Sequence, residues 1–498
     1  MCYNRFNSEA IDKMKFRKFA AFAVALCILL GGCTIENELG HGEASYEDFR
    51  AYIDERRAVD FVAVDLSPLA EKYRCSDEFE TRSDDELRFE LSRTTSQKST
   101  VSRVTKSEAM SDIDFLLRML REDYGAYEFF GGDEAFDAMK QRLEASVDEA
   151  FGGEARLPVI DFTALISDAL GGTISDRSFV VRDEPVTPND RLYQVRNEYF
   201  TREGDDFYYH GSKVLSVDGG DPHDYIKPTV APNGAIVYSM WRSFPSDFDP
   251  TAAFIAAELE DTEPANFRWS SAYIDSFSNY SFGESFREGS STSPDGSVTV
   301  PVVASSDLGR AGERFVESAN RPSDEKALVL DLRVSGGSDE TYIRRWLETY
   351  AGAASEVNEL RLHRSSPMSN AIFESDEPFG TVASSSEGKN VELDDGRTLI
   401  VLVGGNTGAA ETAQQLASRI SNVITIGGIS GGAALTADPT TRYLPSSGIR
   451  LTFGTTLRLS TGMFDENGGT CLHPDLYANP ADALVFAREM VAYYGLNG

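Results

Sequence analysis

Between Leu399 and Leu435 the chain reads LIVLVGGNTGAAETAQQLASRISNVITIGGISGGAAL. An apolar run, Leu399 to Val403, stops at the glycine-rich turn GGNTGAAE, and a second run, Val423 to Ile426, stops at GGISGG. Short apolar runs bounded by glycine mark strands buried on both faces. A turn that opens a helix points backbone N–H groups, unpaired within the helix, at whatever lies above it. Enzymes of acyl chemistry set a nucleophile in such a turn, beside donors for a developing oxyanion. Here the position that chemistry would use holds a glycine, Gly408.

The elements that must position this turn follow from pattern. Ile113, Leu116, Leu117 and Leu120 recur at helical spacing behind Ser111, which is expected to cap a helix. A second helix carries Phe136, Met139, Leu143 and Val147, and a third runs from about Val159 to Leu170. Asp206 to His210 and Val214 to Val217 read as strands, and residues 211–219 resemble a hairpin of PDZ-like modules. Residues 232–303 are aromatic and rich in Ser and Gly, and are expected to form an irregular β insertion. Then strands alternate with helices: Ala327 to Leu332, the turn VSGGSD, a helix Thr341 to Tyr350, and the two strand–turn units above. That alternation argues for an α/β core (α+β over the whole chain) with a mainly parallel sheet. Ile449 to Leu459 alternates as an antiparallel strand, and Pro480 to Tyr494 closes the chain as a helix. The polar stretch Cys75 to Lys106 is expected to be a linker or loosely ordered strap, behind a short helix bearing Tyr46, Phe49, Tyr52 and Ile53.

The 80 acids and 47 bases give a formal net charge of −33 over 498 residues. Phosphate backbones need basic patches, so nucleic acid is excluded as an expected partner. Lys15, Arg17 and Lys18 precede the apolar run Phe19 to Leu30, which is too short to span a bilayer and has the flank of an export signal, with Met14 as an alternative start. The following Leu30-Gly31-Gly32-Cys33 resembles a bacterial lipoprotein cleavage box, which implies a lipidated Cys33 and a place in the cell envelope outside the cytoplasm. After such cleavage Cys75 and Cys471 remain beside Cys33, free to pair or not. No ligand spacing for a metal is seen, and no cofactor is expected.

Five segments in order resemble the tail-specific, or C-terminal-processing, serine peptidases, in the branch of the tricorn core and the interphotoreceptor retinoid-binding modules. They are DIDFLLRMLREDYGAYEFFGGDEAFDAM, ALVLDLRVSGG, VLVGGNTGAAETAQQLA, VITIGGISGGA and ENGGTCLHPDLYANPADAL. The resemblance implies a strand–helix core of ClpP/crotonase layout, an N-terminal helical subdomain and a PDZ-like, β-rich insertion. On that basis the chain divides into a lipoprotein signal at 1–32, a tether and variable segment at 33–106, the helical subdomain at 107–183, the PDZ-like and β-rich region at 184–303, and the core at 304–498.

Carried over residue by residue, the resemblance implies a site that has lost its machinery. Glu411 matches the glutamate of the S-A-x-E turn, so the serine position is Gly408. The turn Ser175-Asp176-Arg177-Ser178 matches D-G-H-T and puts Arg177 where the histidine base belongs; Gly431 to Ala434 lacks the lysine of the other branch. Glu466 matches the tail glutamate, and the amides near Gly336, Gly337 and Ala409 match an oxyanion nest. Arg177 and Glu466 would pair if both still faced the cleft. Thr407 is either a displaced nucleophile or a turn hydroxyl, and His473 either a base or part of a His-Pro-Asp turn. The expected function is a non-catalytic binder of unfolded peptides or protein C-termini. The alternatives are an active serine-type peptidase with a rearranged site, and a binder of small hydrophobic ligands.

Overall fold

Every residue of the strand Thr398–Val403 is buried, and this strand lies inside a ten-stranded sheet. The computed structural model describes residues 45–61, 65–75, 78–79, 82–95, 101–187, 191–244, 249–271, 286–305, 311–320, 326–333, 340–373, 376–393, 396–404, 408–430, 432–460 and 472–496. Across the sheet, Thr299–Ser305, Ala327–Asp331, Thr398–Val403, Val423–Gly427, Leu476–Tyr477 and Ile226–Val230 run parallel in that order. Antiparallel strands flank them: Phe286–Thr292 on one side, and Ile236–Phe244, Arg191–Gln194 and Ser270–Ser271 on the other. Apolar residues on both faces are why the central strands read as unbroken hydrophobic runs.

The helices Glu340–Ala351 and Gly408–Ala417 cover one face, with Ile343, Trp346, Leu347, Ala413 and Leu416 against Leu328, Leu399 and Val401. The other face is covered by the closing helix Ala483–Tyr493 and by the helix Tyr46–Asp60, whose Phe49 and Ile53 pack with Val329, Ile400 and Ile424. The architecture is the mixed α/β one expected. Among the described residues no helix is long and apolar enough to cross a membrane.

A second core joins the helices Lys106–Asp123, Gly132–Phe151 and Val159–Gly171 to the strands Glu359–Ser365 and Arg450–Ser460. Phe136, Met139, Leu143 and Val147 all point into it. The first of these helices begins earlier than the apolar period suggests. Thr105 is its N-cap, in a reciprocal capping box with Glu108, and Ser111 lies inside the helix. The two expected strands form a hairpin: Asp206–Tyr209 and Ser212–Val217 pair across His210 and Gly211, both at positive φ, as a tight two-residue turn requires. These two strands belong to a separate five-stranded sheet with Thr201–Glu203, Phe254–Leu259 and Ala265–Arg268.

Two expectations change. Residues 232–303 do not form one irregular insertion: Ile236–Phe244, Phe286–Thr292 and Thr299–Ser305 join the central sheet, because their edges complete its hydrogen bonding. The polar stretch after Cys75 contains a helix, Asp84–Thr94, closed by a capping box between Ser83 and Glu86. Ion pairs add to the burial of Leu87 and Thr94 in fastening this helix: Arg82 meets Glu90 at 2.6 Å and also Glu122, and Arg118 meets Glu90 at 2.5 Å. Burial pushes the Glu122 carboxyl up to about 7 against the pull of Arg82. Cys75 is a buried free thiol whose backbone N–H donates to the Thr381 hydroxyl at 2.7 Å.

The N-terminal helix is locked by charge as well as by packing. Arg57 donates to Asp475 Oδ2 at 2.6 Å and to the Val423 carbonyl at 2.9 Å, and Thr425 gives the same carboxylate oxygen its N–H and hydroxyl. Burial works to raise the Asp475 pKa, but Arg57, Arg56 and these hydrogen bonds outweigh it and hold the group below its ordinary value. A carboxyl depressed in the fold stabilises above its unfolded pKa, and that contribution is lost as pH falls through the folded pKa. Arg57→Ala leaves a buried carboxylate without its main partner and is expected to cost about 3–5 kcal/mol in denaturant unfolding. It should also move acid unfolding to higher pH.

Candidate functional site at the carboxyl ends of the parallel strands

The parallel strands send their carboxyl ends to one edge of the sheet, where open α/β sheets place their ligands. Three described stretches lie at that edge: residues 332–333 after Asp331, Gly404 with the helix start at Gly408, and the glycine run from Gly427. Gly427 has φ +149°, and a Cβ there would stand 1.9 Å from the Val403 carbonyl oxygen, so no other residue fits. At the first turn Arg333 forks onto Asp331 at 2.6 and 2.8 Å and also donates to the Pro480 carbonyl.

The helix Gly408–Ala417 is held by its polar residues. The buried Glu411 accepts the Gly432 N–H at 2.5 Å, tying the start of the helix to the glycine run beyond Gly427. One residue on, the Thr412 hydroxyl donates to Glu340 at 3.1 Å and accepts from Arg458 at 3.3 Å. Arg458 in turn donates to Glu359 at 2.6 and 3.0 Å. Burial opposes the charge on Glu359, yet Arg458 and Arg361 keep its pKa below the ordinary value. Gln414 donates to the His473 carbonyl at 2.8 Å and Gln415 to the Ser460 hydroxyl at 2.6 Å. The helix that opens at Gly408 is thus fixed to the strand Arg450–Ser460, the glycine run, a second helix and the tail.

After Gly432 a single 3-10 turn, Ala433–Leu435, leads to Thr436, and Thr436 reaches the turn that bears Arg177. Asp176 is fully buried. Its Oδ2 accepts from Tyr124 at 2.9 Å and Thr436 at 3.0 Å, and its Oδ1 accepts the N–H and hydroxyl of Ser178 at 2.8 and 2.6 Å. Burial raises the Asp176 pKa, and these four donors pull against it. Gly454 lets this approach happen, since a Cβ on it would stand 2.5 Å from Thr436. The structure therefore links the Arg177 turn to the Gly408 helix through Asp176, Thr436, Gly432 and Glu411.

Of the sequence-derived site residues, Gly408 is the first residue of its helix, Ala409 follows in the first turn, and Arg177 is half-buried beside Asp176. Gly336, Gly337, Thr407, Glu466, Cys33 and Cys471 lie outside the described residues. His473 is exposed, and its Nδ1 meets the Tyr477 hydroxyl. Sequence reasoning missed the roles of Asp176, Thr436, Arg458 and Glu359. Arg458 carried a signal, a charge inside the otherwise apolar alternation of Arg450–Ser460, which calls for a buried partner.

Backbone amides at a helix start and at glycine turns suit an anionic or carbonyl oxygen. Gly408 offers no side chain for nucleophilic attack. Arginine stays protonated at any physiological pH, so Arg177 cannot act as a general base.

No protein-family model matches the chain, and no curated protein does. Solved structures align with it at low identity. Mature CPAF is 10% identical with a TM-score of 0.40, covering 79% of this chain and 97% of its own. The photosystem II D1 C-terminal processing protease is 12% identical with a TM-score of 0.32, covering 78% and 99%. A lipoprotein from Streptococcus agalactiae is 11% identical with a TM-score of 0.31, covering 76% and 93%.

Asp176→Asn puts an amide N–H2 where two of the four donors now point. The expected loss is about 1–3 kcal/mol, read by thermal unfolding, since at least one buried donor loses its acceptor.

Proposed function

We propose that this protein binds peptides or protein C-termini at the carboxyl edge of its parallel strands, outside the cytoplasm, without cleaving them. The observation that carries the reading is Gly408. It opens the helix at the position the sequence resemblance reserves for serine, so the helix start offers backbone donors and no side chain at that position. Arg177 at the base position supports the same conclusion. The fastening of the edge through Glu411, Thr412 and Asp176 supports a rigid binding surface rather than a collapsed relic. Attachment to the envelope through a lipidated Cys33 belongs to the same proposal and rests on the Leu-Gly-Gly-Cys motif.

Loss of a nucleophile or its base costs several orders of magnitude, because such groups act as a unit. Purified protein is therefore expected to leave an unfolded reporter protein intact and to stay unlabelled by a fluorophosphonate probe. Gly408→Ser alone should stay unlabelled too, as it restores no base. Labelling of the wild type that Thr407→Ala abolishes would sink the binding-only reading in favour of a rearranged peptidase. For the anchor, Cys33→Ser should abolish incorporation of an alkyne-tagged fatty acid and release the protein from the membrane fraction.

A further inference from the structure

Trp241 is 2% exposed, and its indole Nε1–H has no hydrogen-bond acceptor among the described residues. Burying a donor without an acceptor is unfavourable by about 1–3 kcal/mol, so a persistent case calls for a reason. The position of this donor supplies one. Trp241 lies on Ile236–Phe244 and packs with Leu192, Ile429 and Tyr477, its ring 5.7 Å from that of Tyr477. Tyr477 pairs in register with Gly427, and Ile429 sits in the glycine run that follows. The indole therefore stands at the same carboxyl edge as the candidate site.

The rim of the cluster reaches solvent, with the donor itself sealed beneath it. Ile429 is only half-buried, and the far end of Tyr477 meets the exposed His473. Beneath Ile429 the wall is backbone and proline: a Cβ on Gly428 would lie 3.2 Å from Pro480 Cγ and 4.0 Å from Leu192 Cδ2. An apolar wall with one fixed polar group is the usual composition of a small recognition pocket. Indole donates and never accepts, so the group it recognises must be an acceptor oxygen and not an amine.

We propose that Trp241 is the hydrogen-bond donor of an apolar subsite, walled by Leu192, Ile429 and Tyr477, that takes a peptide carbonyl or carboxylate oxygen next to an apolar side chain. This rests on the peptide-binding reading and states what part of the ligand must carry.

The chain has three tryptophans, so protein carrying 15N-labelled indole gives three indole signals, and Trp241→Phe identifies one by its disappearance. The probe is a pool of acetylated tripeptides built from Ala, Val, Leu and Phe, supplied once as free acids and once as amides. Binding is read in parallel by equilibrium dialysis. The expected result is a downfield shift of the Trp241 indole proton on binding, and about tenfold weaker binding by Trp241→Phe. A shift with the acids alone identifies a terminal carboxylate; a shift with both pools identifies a peptide carbonyl. If Trp241→Phe folds poorly, Trp269→Phe and Trp346→Phe assign the remaining signal to Trp241 by elimination, so the wild-type shift still decides the matter. Binding with an unmoved Trp241 signal overturns the subsite and leaves peptide binding standing. No binding by either pool overturns both.

Discussion

Strands buried on both faces and running parallel impose the constraint from which the rest of this molecule follows. Ala327–Asp331, Thr398–Val403 and Val423–Gly427 have no solvated side, so both faces must be covered and each connection must cross over the sheet. The helices Glu340–Ala351 and Gly408–Ala417 are those crossovers on one face. On the other face the cover comes from opposite ends of the chain, Tyr46–Asp60 and Ala483–Tyr493. Parallel strands also deliver all their carboxyl ends to one edge. That is why Arg333, Gly404 and the glycine run from Gly427, far apart in sequence, come out together around Pro480 at a candidate site.

Apolar burial alone leaves such an edge loosely defined, and buried carboxylates give it definite geometry. Asp475 receives Arg57 and Thr425, Asp176 receives Tyr124, Ser178 and Thr436, Glu411 receives Gly432, and Glu359 receives Arg458. Arg57–Asp475, Asp176–Tyr124 and Glu411–Gly432 join segments that no backbone ladder connects, Glu359–Arg458 braces two strands already paired, and each carboxylate is costly to bury unless its partners are in place. Removing a partner is therefore far worse than the net worth of the pair, which makes these contacts all-or-none determinants of the local arrangement. They hold the Gly408 helix, the glycine run after Gly427 and the Arg177 turn as one unit.

On the proposed reading, the site keeps the binding half of an acyl-transfer edge and lacks the reactive half. Preorganised amides act on an oxygen whether or not a nucleophile stands beside them, so recognition is compatible with a glycine at position 408. The role proposed for Trp241 extends that reading: a donor held dry beside the edge suits recognition of an acceptor and has no part in proton transfer.

Much of the local structure was legible in the residues themselves. The helical spacing of Phe136, Met139, Leu143 and Val147, the apolar run Leu399 to Val403 and the His210-Gly211 turn each fold as their pattern dictates. The capping box at Thr105 was equally readable, but the apolar period at Ile113 drew attention to the wrong start. The glycine at 408 and the arginine at 177 were visible too, since residue identity is a fact of sequence, whereas the catalytic positions assigned to them came from the resemblance alone. Partnership was not. Arg57 and Asp475 are 418 residues apart, and Thr436 and Asp176 are 260 apart; nothing in either neighbourhood names the other. Nor did the β-rich segment reveal that its strands would divide between two sheets. Periodicity reports which side of an element is apolar, a property of a few consecutive residues. Which element that side meets, and which buried charge finds its counter-charge, is decided only when the whole chain closes around one core.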